Sequence, residues 1–324
     1  MFWFVLALIS ALCLGFYDVL RKYSLKSNAV LPVLLVSTLT SSLVLLPLSV
    51  ASHTGAISPD CWAYIPQLGL HQHLLLVAKA AIVLGSWVFV YYGMKHLPLS
   101  IVAPIRATAP VWTLMGALVI FAERPNGVQW IGLIVVFVFF FLFSVAGKRE
   151  GINFKANKWV WCVVVGTLIG AASALFDKHI ISNEHINRMS VLFYYSIYQF
   201  LMTIPLALII WNPARRKFLA ERRDQANADA TDEQLAERVG YEPFRWKWSI
   251  PMIGIVIILA DFFYYGALDN PDSMISLISP IRRSNAIVSF TLAALIFHER
   301  NMLRKGLCLL GILAGIGIII YGSV

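Results

Sequence analysis

Apolar residues occur along the whole chain in runs of about twenty positions, which short polar segments separate. Each run is long enough to cross a hydrocarbon core of about 30 Å as a helix. The apolar residues are continuous rather than alternating with polar ones, and this favours helices over a transmembrane barrel. The pattern therefore predicts an all-α integral membrane protein.

Ten such runs predict ten transmembrane helices. They lie approximately at 2–24, 30–50, 74–94, 98–121, 127–146, 158–181, 190–211, 249–268, 274–297 and 303–322. The connector 212–248 is the most highly charged segment, with eight basic and seven acidic residues. Its composition from Ala214 to Val239 predicts a surface helix, which acts either as a solvated connection or as a docking element.

The second half of the chain repeats the first. The sequence SIVAPIR at 100–106 corresponds to SLISPIR at 276–282, and YYG at 91–93 corresponds to YYG at 264–266. The matches continue in the same order from the first predicted span to the last. The chain therefore contains two copies of one unit of five spans.

An odd number of spans in each copy has a geometric consequence, because the second copy must enter the membrane from the opposite side. Such inverted repeats are typical of secondary transporters, whose substrate sites lie near the midplane between the repeats. We predict a five-helix repeat at residues 1–149 and an inverted five-helix repeat at residues 150–324. The second repeat includes the charged connector.

The chain is 59% hydrophobic and 13% charged, with a formal net charge of +9. A basic balance can indicate nucleic-acid binding, but here the basic residues lie mostly in loops, where membrane topology explains them. No zinc-type cysteine spacing occurs, and the pair His71 and His73 is more typical of a polar loop than of a metal site. We therefore predict no nucleic-acid partner, no metal and no cofactor.

Several motifs resemble a known family. The first half contains LPLSIVAPIRATAP and ALVIFAERPNGVQWIGLIVV, and the second contains MISLISPIRRSNAIVSF and ALIFHERNML. They resemble the EamA-type permeases of the drug/metabolite transporter superfamily, in which a fourth span ends in Glu-Arg before a Gly-rich fifth span. Glu123-Arg124 and Glu299-Arg300 occupy these positions and are candidates for a gate or for simple helix ends. The resemblance implies ten spans and small-molecule transport, and it leaves the substrate open.

Loop charge predicts the orientation of the chain. Connections after odd-numbered spans hold nineteen basic residues, whereas the termini and the other connections hold three. The positive-inside rule places the first set in the cytoplasm and both termini outside. The resemblance implies the opposite, because related transporters are usually drawn with cytoplasmic termini. We follow the charge count and expect a multi-pass protein of the cell (inner) membrane.

Three arginines stand within otherwise apolar spans. Arg106 and Arg282 are equivalent in the repeat and lie about 12 Å into their helices, too deep to reach the interface easily. They either pair with aspartates and fix helix packing, or line a cavity and bind an anionic group, for which the planar guanidinium is suited. Arg283 is about 100° further round the helix than Arg282, so we expect it to face a different space and rank it lower.

Three acidic residues also fall within spans. Asp18 and Asp177 correspond in the repeat, and Asp261 has no acidic counterpart. Asp18 can bridge to Lys22 one helical turn later. Each acid either forms a structural ion pair or takes up protons that drive transport. These four residues are candidates for coupling or charge balance.

Paired tyrosines recur at both copies of the YYG motif. Their rings could contact a substrate, although anchoring at the membrane interface is the commoner role of tyrosine. We take Tyr92 and Tyr265 as candidate substrate contacts.

Together these features predict a transporter that moves a small metabolite, an organic anion or a zwitterion, by alternating access. The partners are the lipid bilayer, the metabolite and, as a coupling ion, protons; the oligomeric state is not assigned. The alternatives are an exporter of cationic or amphipathic compounds, and a receptor or scaffold that acts through the connector. No nucleophile triad or phosphate-binding loop is present in the sequence, so we do not expect an enzyme.

Overall fold

The structure, a computed structural model, describes residues 2–97, 102, 105–106, 108–146, 157–224, 232–285, 287–289, 291–292 and 302–322. Every regular element within these ranges is helical. The α-helices are α1 (Phe2–Leu25), α2 (Val30–His53), α3 (Leu70–His96), α4 (Ala109–Ile120), α5 (Gly127–Ala146), α6 (Lys158–Lys178), α7 (Arg188–Leu206), α8 (Asn212–Asp224), α9 (Asp232–Val239), α10 (Ser249–Leu268), α11 (Ile275–Arg283) and α12 (Met302–Tyr321). Two π-helical turns, His179–Asn183 and Ala207–Trp211, extend α6 and α7.

Six helices in the described part of the chain are long and apolar enough to cross a membrane. They are Phe2–Leu25, Val30–His53, Leu70–His96, Lys158–Asn183, Arg188–Arg223 and Ser249–Leu268, and shorter apolar helices occupy Ala109–Ile120, Gly127–Phe139 and Leu310–Tyr321. The all-helical, multi-pass class predicted from the sequence agrees with this result. The count of ten spans stays a prediction, since the fourth and ninth predicted spans include residues outside the described ranges.

The most extensive helix contacts are equivalent in the two halves of the chain. The closest pairs are α5 with α12, α1 with α10, α3 with α6, and α2 with α7. Exchanging each helix with its counterpart in the other predicted repeat converts the α1–α10 contact into the α3–α6 contact. The same exchange converts α1–α11 into α4–α6, and it leaves α2–α7, α4–α11 and α5–α12 unchanged.

Glycine allows two of these helices to touch through their backbones. A Cβ atom on Gly132 of α5 would lie 2.9 Å from the carbonyl oxygen of Gly315 on α12, and 2.8 Å from the amide nitrogen of Ile319. No larger residue fits there without moving a backbone. Small residues at such contacts are the usual means by which membrane helices approach closely, since packing rather than the hydrophobic effect drives their association.

In the described part of the connector, α8 and α9 are helical, as expected over Ala214–Val239, and residues 225–231 between them lie outside the described ranges. The segment after α9 docks on the turn between α1 and α2. There the side-chain amide of Asn28 donates to the carbonyl oxygen of Arg245 at 2.7 Å and accepts from its backbone N–H at 3.0 Å. Glu242 also forms an ion pair with Lys95 at the end of α3.

Candidate functional site

A cavity of about 160 Å³ lies between α1, α3, α4, α6, α10 and α11. Its lining combines apolar residues and hydroxyls with seven charged side chains. These are Arg21, Lys79, Arg106, Asp177, Asp261, Arg282 and Arg283. Charged groups inside a membrane are rare and mark functional sites, so this cavity is the candidate site.

Asp18 lies beside the cavity and accepts from three donors. One carboxylate oxygen is 2.7 Å from an Arg21 nitrogen and 3.1 Å from an Arg106 nitrogen, and the other accepts from the Asn285 amide at 2.7 Å. Asp18 and Arg21 are three residues apart on α1 and therefore share one face of the helix. A single carboxylate thus holds donors from α1, from the fourth predicted span and from the ninth.

Arg21 is almost fully enclosed, with 1% of its surface exposed. Its guanidinium lies 5.0 Å from the centre of the Tyr17 ring and 4.8 Å from that of Tyr91. Aromatic faces attract cations because their π-electrons carry partial negative charge. The two rings therefore supplement the single carboxylate.

Two further ion pairs line the cavity, and they share no residue with each other or with Asp18. Lys79 on α3 pairs with Asp177 on α6, and Arg282 on α11 pairs with Asp261 on α10. The Tyr195 hydroxyl donates to Asp261 at 3.2 Å. Each acid on this side therefore has one cation of its own.

Aromatic and hydroxyl groups complete the surroundings of these two cations. Lys79 lies over the rings of Tyr195 and Tyr265, at 4.7 and 5.1 Å from their centres. The Arg282 guanidinium lies 3.8 Å from the centre of the Tyr264 ring and donates to the Ser10 hydroxyl at 3.2 Å. Both pairs are thus held in position by contacts from further helices.

Arg283 differs from every other cation of the cavity. It lines the cavity, yet it has no hydrogen bond and no ion pair with any residue in the described part of the chain. Ser279, one helical turn earlier on α11, also lines the cavity, and within the same ranges its hydroxyl makes no hydrogen bond. The expectation that Arg282 and Arg283 face different spaces is not met, since both side chains reach the cavity.

Other predicted residues lie elsewhere. The expected bridge from Asp18 to Lys22 does not form, because the Lys22 ammonium donates to the carbonyl oxygen of Met94 at 2.8 Å. Carbonyls in the last turn of a helix lack partners within it and attract cations. Tyr92 is not part of the cavity lining and stacks on Trp159 at 6.3 Å between ring centres, whereas Tyr265 does line the cavity.

Sequence reasoning did not select Lys79, Arg21, Asn285 and Tyr195 for the site. Lys79 and Arg21 were detectable as charges within apolar runs, but neither has a counterpart in the other repeat. Asn285 and Tyr195 carry no such signal, because a neutral polar residue in a span is common. Their roles depend on contacts between helices that are distant in sequence.

Glu123 of the Glu-Arg motif caps α11. One carboxylate oxygen accepts from the backbone N–H of Ile275 at 2.8 Å, and the other accepts from the N–H of Ser276 at 3.0 Å and from its hydroxyl at 2.5 Å. A carboxylate is favourable at a helix N-terminus, where N–H groups are unpaired and the dipole is positive. The second copy of the motif, Glu299-Arg300, lies outside the described residues.

The two histidines of the loop pair have separate partners. His71 lies 3.5 Å from the Glu184 carboxylate, and His73 contacts the Tyr198 hydroxyl at 2.8 Å. In the described ranges, no group of three or more His, Cys, Asp or Glu side chains is placed to hold a metal ion.

Comparison with known proteins gives a family match for the first part of the chain and a fold for nearly all of it. Residues 1–145 match the model of the EamA-like transporter family, which belongs to the drug/metabolite transporter superfamily. No curated protein matches the chain by sequence. A solved crystal structure of a protein superposes with a TM-score of 0.67 over 98% of this chain and 95% of that chain, at 11% identity. At that identity the likeness shows the fold alone, and it extends over both halves.

Proposed function

We propose that this chain is a membrane transporter that carries a small organic anion or zwitterion by alternating access, and the match of residues 1–145 to the EamA-like transporter family supports this. The single observation that supports this substrate class most strongly is that Arg106 and Arg282 line one cavity. Guanidinium groups meet carboxylates and phosphates with paired hydrogen bonds and stay charged at any physiological pH. Both arginines are also held by acids, so the two roles considered from the sequence coexist.

The proposal includes two inverted repeats of five helices, residues 1–149 and 150–324. The helix contacts support this division, because exchanging the halves converts the most extensive contacts into one another or leaves them unchanged. In such transporters, one repeat rocks against the other around a site at the midplane. The cavity is bounded by helices of both proposed repeats, which is where such a site belongs.

We assign the coupling role to the carboxylates in contact with the cavity cations. Protonation of Asp177 or Asp261 would release Lys79 or Arg282 from its ion pair, and the freed cation would then be available to substrate. This exchange links proton uptake to anion binding. Proton-driven uptake requires that an imposed pH gradient accelerate transport, and proteoliposomes with a set internal pH test this directly.

The main test is uptake by the purified full chain in proteoliposomes. Arg106→Ala and Arg282→Ala should each abolish uptake of a small organic anion and spare uptake of an organic cation. Arg124→Ala is the matched control, because Arg124 is exposed and lies outside the cavity lining. Retention of anion uptake in both cavity variants would refute the proposal.

The same contacts give less support to the alternative of a cation exporter. Asp18, Asp177 and Asp261 each already have a guanidinium or ammonium partner, so none offers an unpaired carboxylate to a cationic substrate. A receptor or scaffold acting through the connector predicts that deleting residues 214–239 destroys function while the arginine variants remain active. We expect the reverse.

We further propose the cell (inner) membrane as the location, with the connections after odd-numbered spans in the cytoplasm. The docked segment after α9 supports a common side for these connections, since Lys247 donates to the carbonyl oxygens of Tyr23 and Lys26 in the first one. A terminal reporter that fluoresces only in the cytoplasm tests the orientation, because we expect it to stay dark.

A further inference from the structure

We propose that Arg283 and Ser279 form the anchor for a small, doubly charged anion, either a dicarboxylate or a phosphate monoester. This inference rests on the proposed transport function and specifies the substrate class of the same cavity. It also changes the order of importance among the arginines, because the sequence favours Arg282 over Arg283.

The charge balance of the cavity is the first support. Among the described residues, five cations line it and meet three carboxylates, so within this set two positive charges remain without a carboxylate. A proton passed from Lys79 to Asp177 would neutralise both partners and leave this balance unchanged. Uncompensated charge is costly in a low-dielectric interior. A bound dianion restores neutrality, whereas a monoanion leaves one positive charge.

The two excess charges can be assigned to particular side chains. One belongs to Arg283, which forms no ion pair with any described residue and which Asp18 attracts only from a longer distance. The other belongs to the trio in which Arg21 and Arg106 share Asp18. Arg106 repels Arg283 at the same time. A ligand with two anionic ends, or with one doubly charged end, is complementary to this pair.

Ser279 provides the second donor. It precedes Arg283 by four residues on α11, so both side chains lie on one face of the helix. Both line the cavity, and neither makes a hydrogen bond to a described residue. Polar groups at such depth are normally paired. The arrangement of a guanidinium fork and a hydroxyl one turn apart is that of a site whose partner is the substrate.

The size of the cavity restricts the anion. A volume of about 160 Å³ is below the range of roughly 300–1,000 Å³ that drug-sized ligands occupy. The cavity therefore fits a short-chain dicarboxylate or a phosphate ester of a small alcohol.

Binding to the purified full chain tests the inference through ligand-dependent thermal shifts. The probes are succinate, glycerol phosphate and the singly charged monoamide of succinate. We expect wild-type protein to bind at least one of the two dianions about tenfold more tightly than the monoamide. The stronger of the two then identifies carboxylate or phosphate as the favoured group.

The variants separate the anchor from the rest of the cavity. Arg283→Gln should weaken dianion binding about tenfold and monoamide binding by less than about threefold, and Ser279→Ala should weaken dianion binding about threefold. Arg283→Lys keeps the charge but not the planar fork, so it should fall between wild type and Arg283→Gln. Arg124→Gln is the control outside the cavity and should match wild type.

The outcomes distinguish this inference from the proposed function. If wild-type protein binds the monoamide as tightly as the dianions, or if Arg283→Gln retains the preference for dianions, the dianion anchor is refuted and anion transport stands. If no anion binds or is transported while an organic cation is, both proposals are refuted. If Arg283→Gln does not fold, Arg283→Lys and Ser279→Ala provide the test. Each should bind the dianions more weakly than wild type, and wild-type affinity in both would refute the dianion anchor.

Discussion

Around Asp18, two guanidinium groups share one carboxylate, whereas around Asp177 and Asp261 each carboxylate has a cation of its own. The two regions occupy related places in the two halves, since Asp18 corresponds to Asp177 and Arg106 to Arg282. A strict two-fold copy of the first region would pair Asp177 with Arg282. Instead, Asp177 pairs with Lys79, and Arg282 pairs with Asp261.

The difference suggests a way in which the repeat that we propose could acquire an asymmetric site. In that proposal, the repeat sets the positions of the acid and the arginine, and residues without a counterpart decide which of them pair. Arg21 adds positive charge to the first region, while Lys79 and Asp261 add a neutral pair to the second. The first region therefore keeps an excess of positive charge that the second region lacks.

The largest effect on stability should come from Asp18→Asn. This change leaves both Arg21 and Arg106 without a carboxylate, and removing one partner of a buried ion pair costs about 3–5 kcal/mol. Asp261→Asn leaves only Arg282 unpaired, with the Ser10 hydroxyl still in contact, so it should cost less. Thermal unfolding of the purified variants measures both, and equal losses would contradict the contrast between the regions.

The next effect is a coupling energy. Lys79→Met and Asp177→Asn should each destabilise the protein, but the double variant should approach wild type, which gives a coupling of about 3 kcal/mol in a double-mutant cycle. The parallel cycle of Arg106→Met with Asp18→Asn should not recover stability, because Arg21 remains unpaired. Recovery in that second cycle would show that Arg21 does not depend on Asp18.

Removing the third donor to Asp18 should have a moderate effect. A hydrogen bond to a charged group contributes about 1.5–3 kcal/mol, so Asn285→Ala should destabilise the protein by roughly this amount. The same unfolding assay applies. Ser284→Ala, at a neighbouring buried hydroxyl, is the matched control for a change in this part of the chain, and an equal loss in both variants would mean that packing rather than the Asp18 contact is responsible.

The smallest effect is expected for Tyr195→Phe. Its hydroxyl donates to Asp261 at 3.2 Å, and Arg282 still neutralises that carboxylate after the hydroxyl is removed. This hydrogen bond is longer than the 2.7 Å bond from Asn285 to Asp18, so the loss should be at or below about 1.5 kcal/mol, the lower end of the range for bonds to charged groups. A loss larger than that of Asn285→Ala would reverse the order proposed for the two regions.

Much of the fold follows from the sequence. The apolar runs at 30–50, 127–146 and 249–268 end within a few residues of α2, α5 and α10, because about twenty apolar residues match the thickness of a bilayer. The resemblance to the EamA-type permeases also follows from local features, the Glu-Arg and PIR motifs, and the family model matches residues 1–145. Local patterns of this kind can be recognised without knowing which helices are in contact.

The pairing of charges within the site does not follow from the sequence. Lys22 seemed the natural partner of Asp18 one turn away, yet Lys22 reaches the end of α3 instead. Arg283 seemed to face away from Arg282, yet the cavity is wide enough to receive both. Both errors arise because the partner of Lys22 and the walls of the cavity come from helices distant in sequence, so these contacts depend on tertiary packing.

The cap that Glu123 forms on α11 allows the transport cycle to be followed by hydrogen exchange. While the end of α4 stays against the start of α11, the amide protons of Ile275 and Ser276 are held by that carboxylate and are shielded from solvent deuterium. A conformation that parts these two helices frees both protons at once. Deuterium uptake at these two positions would therefore report how often this end of the protein opens, averaged over the sample, without any label in the cavity.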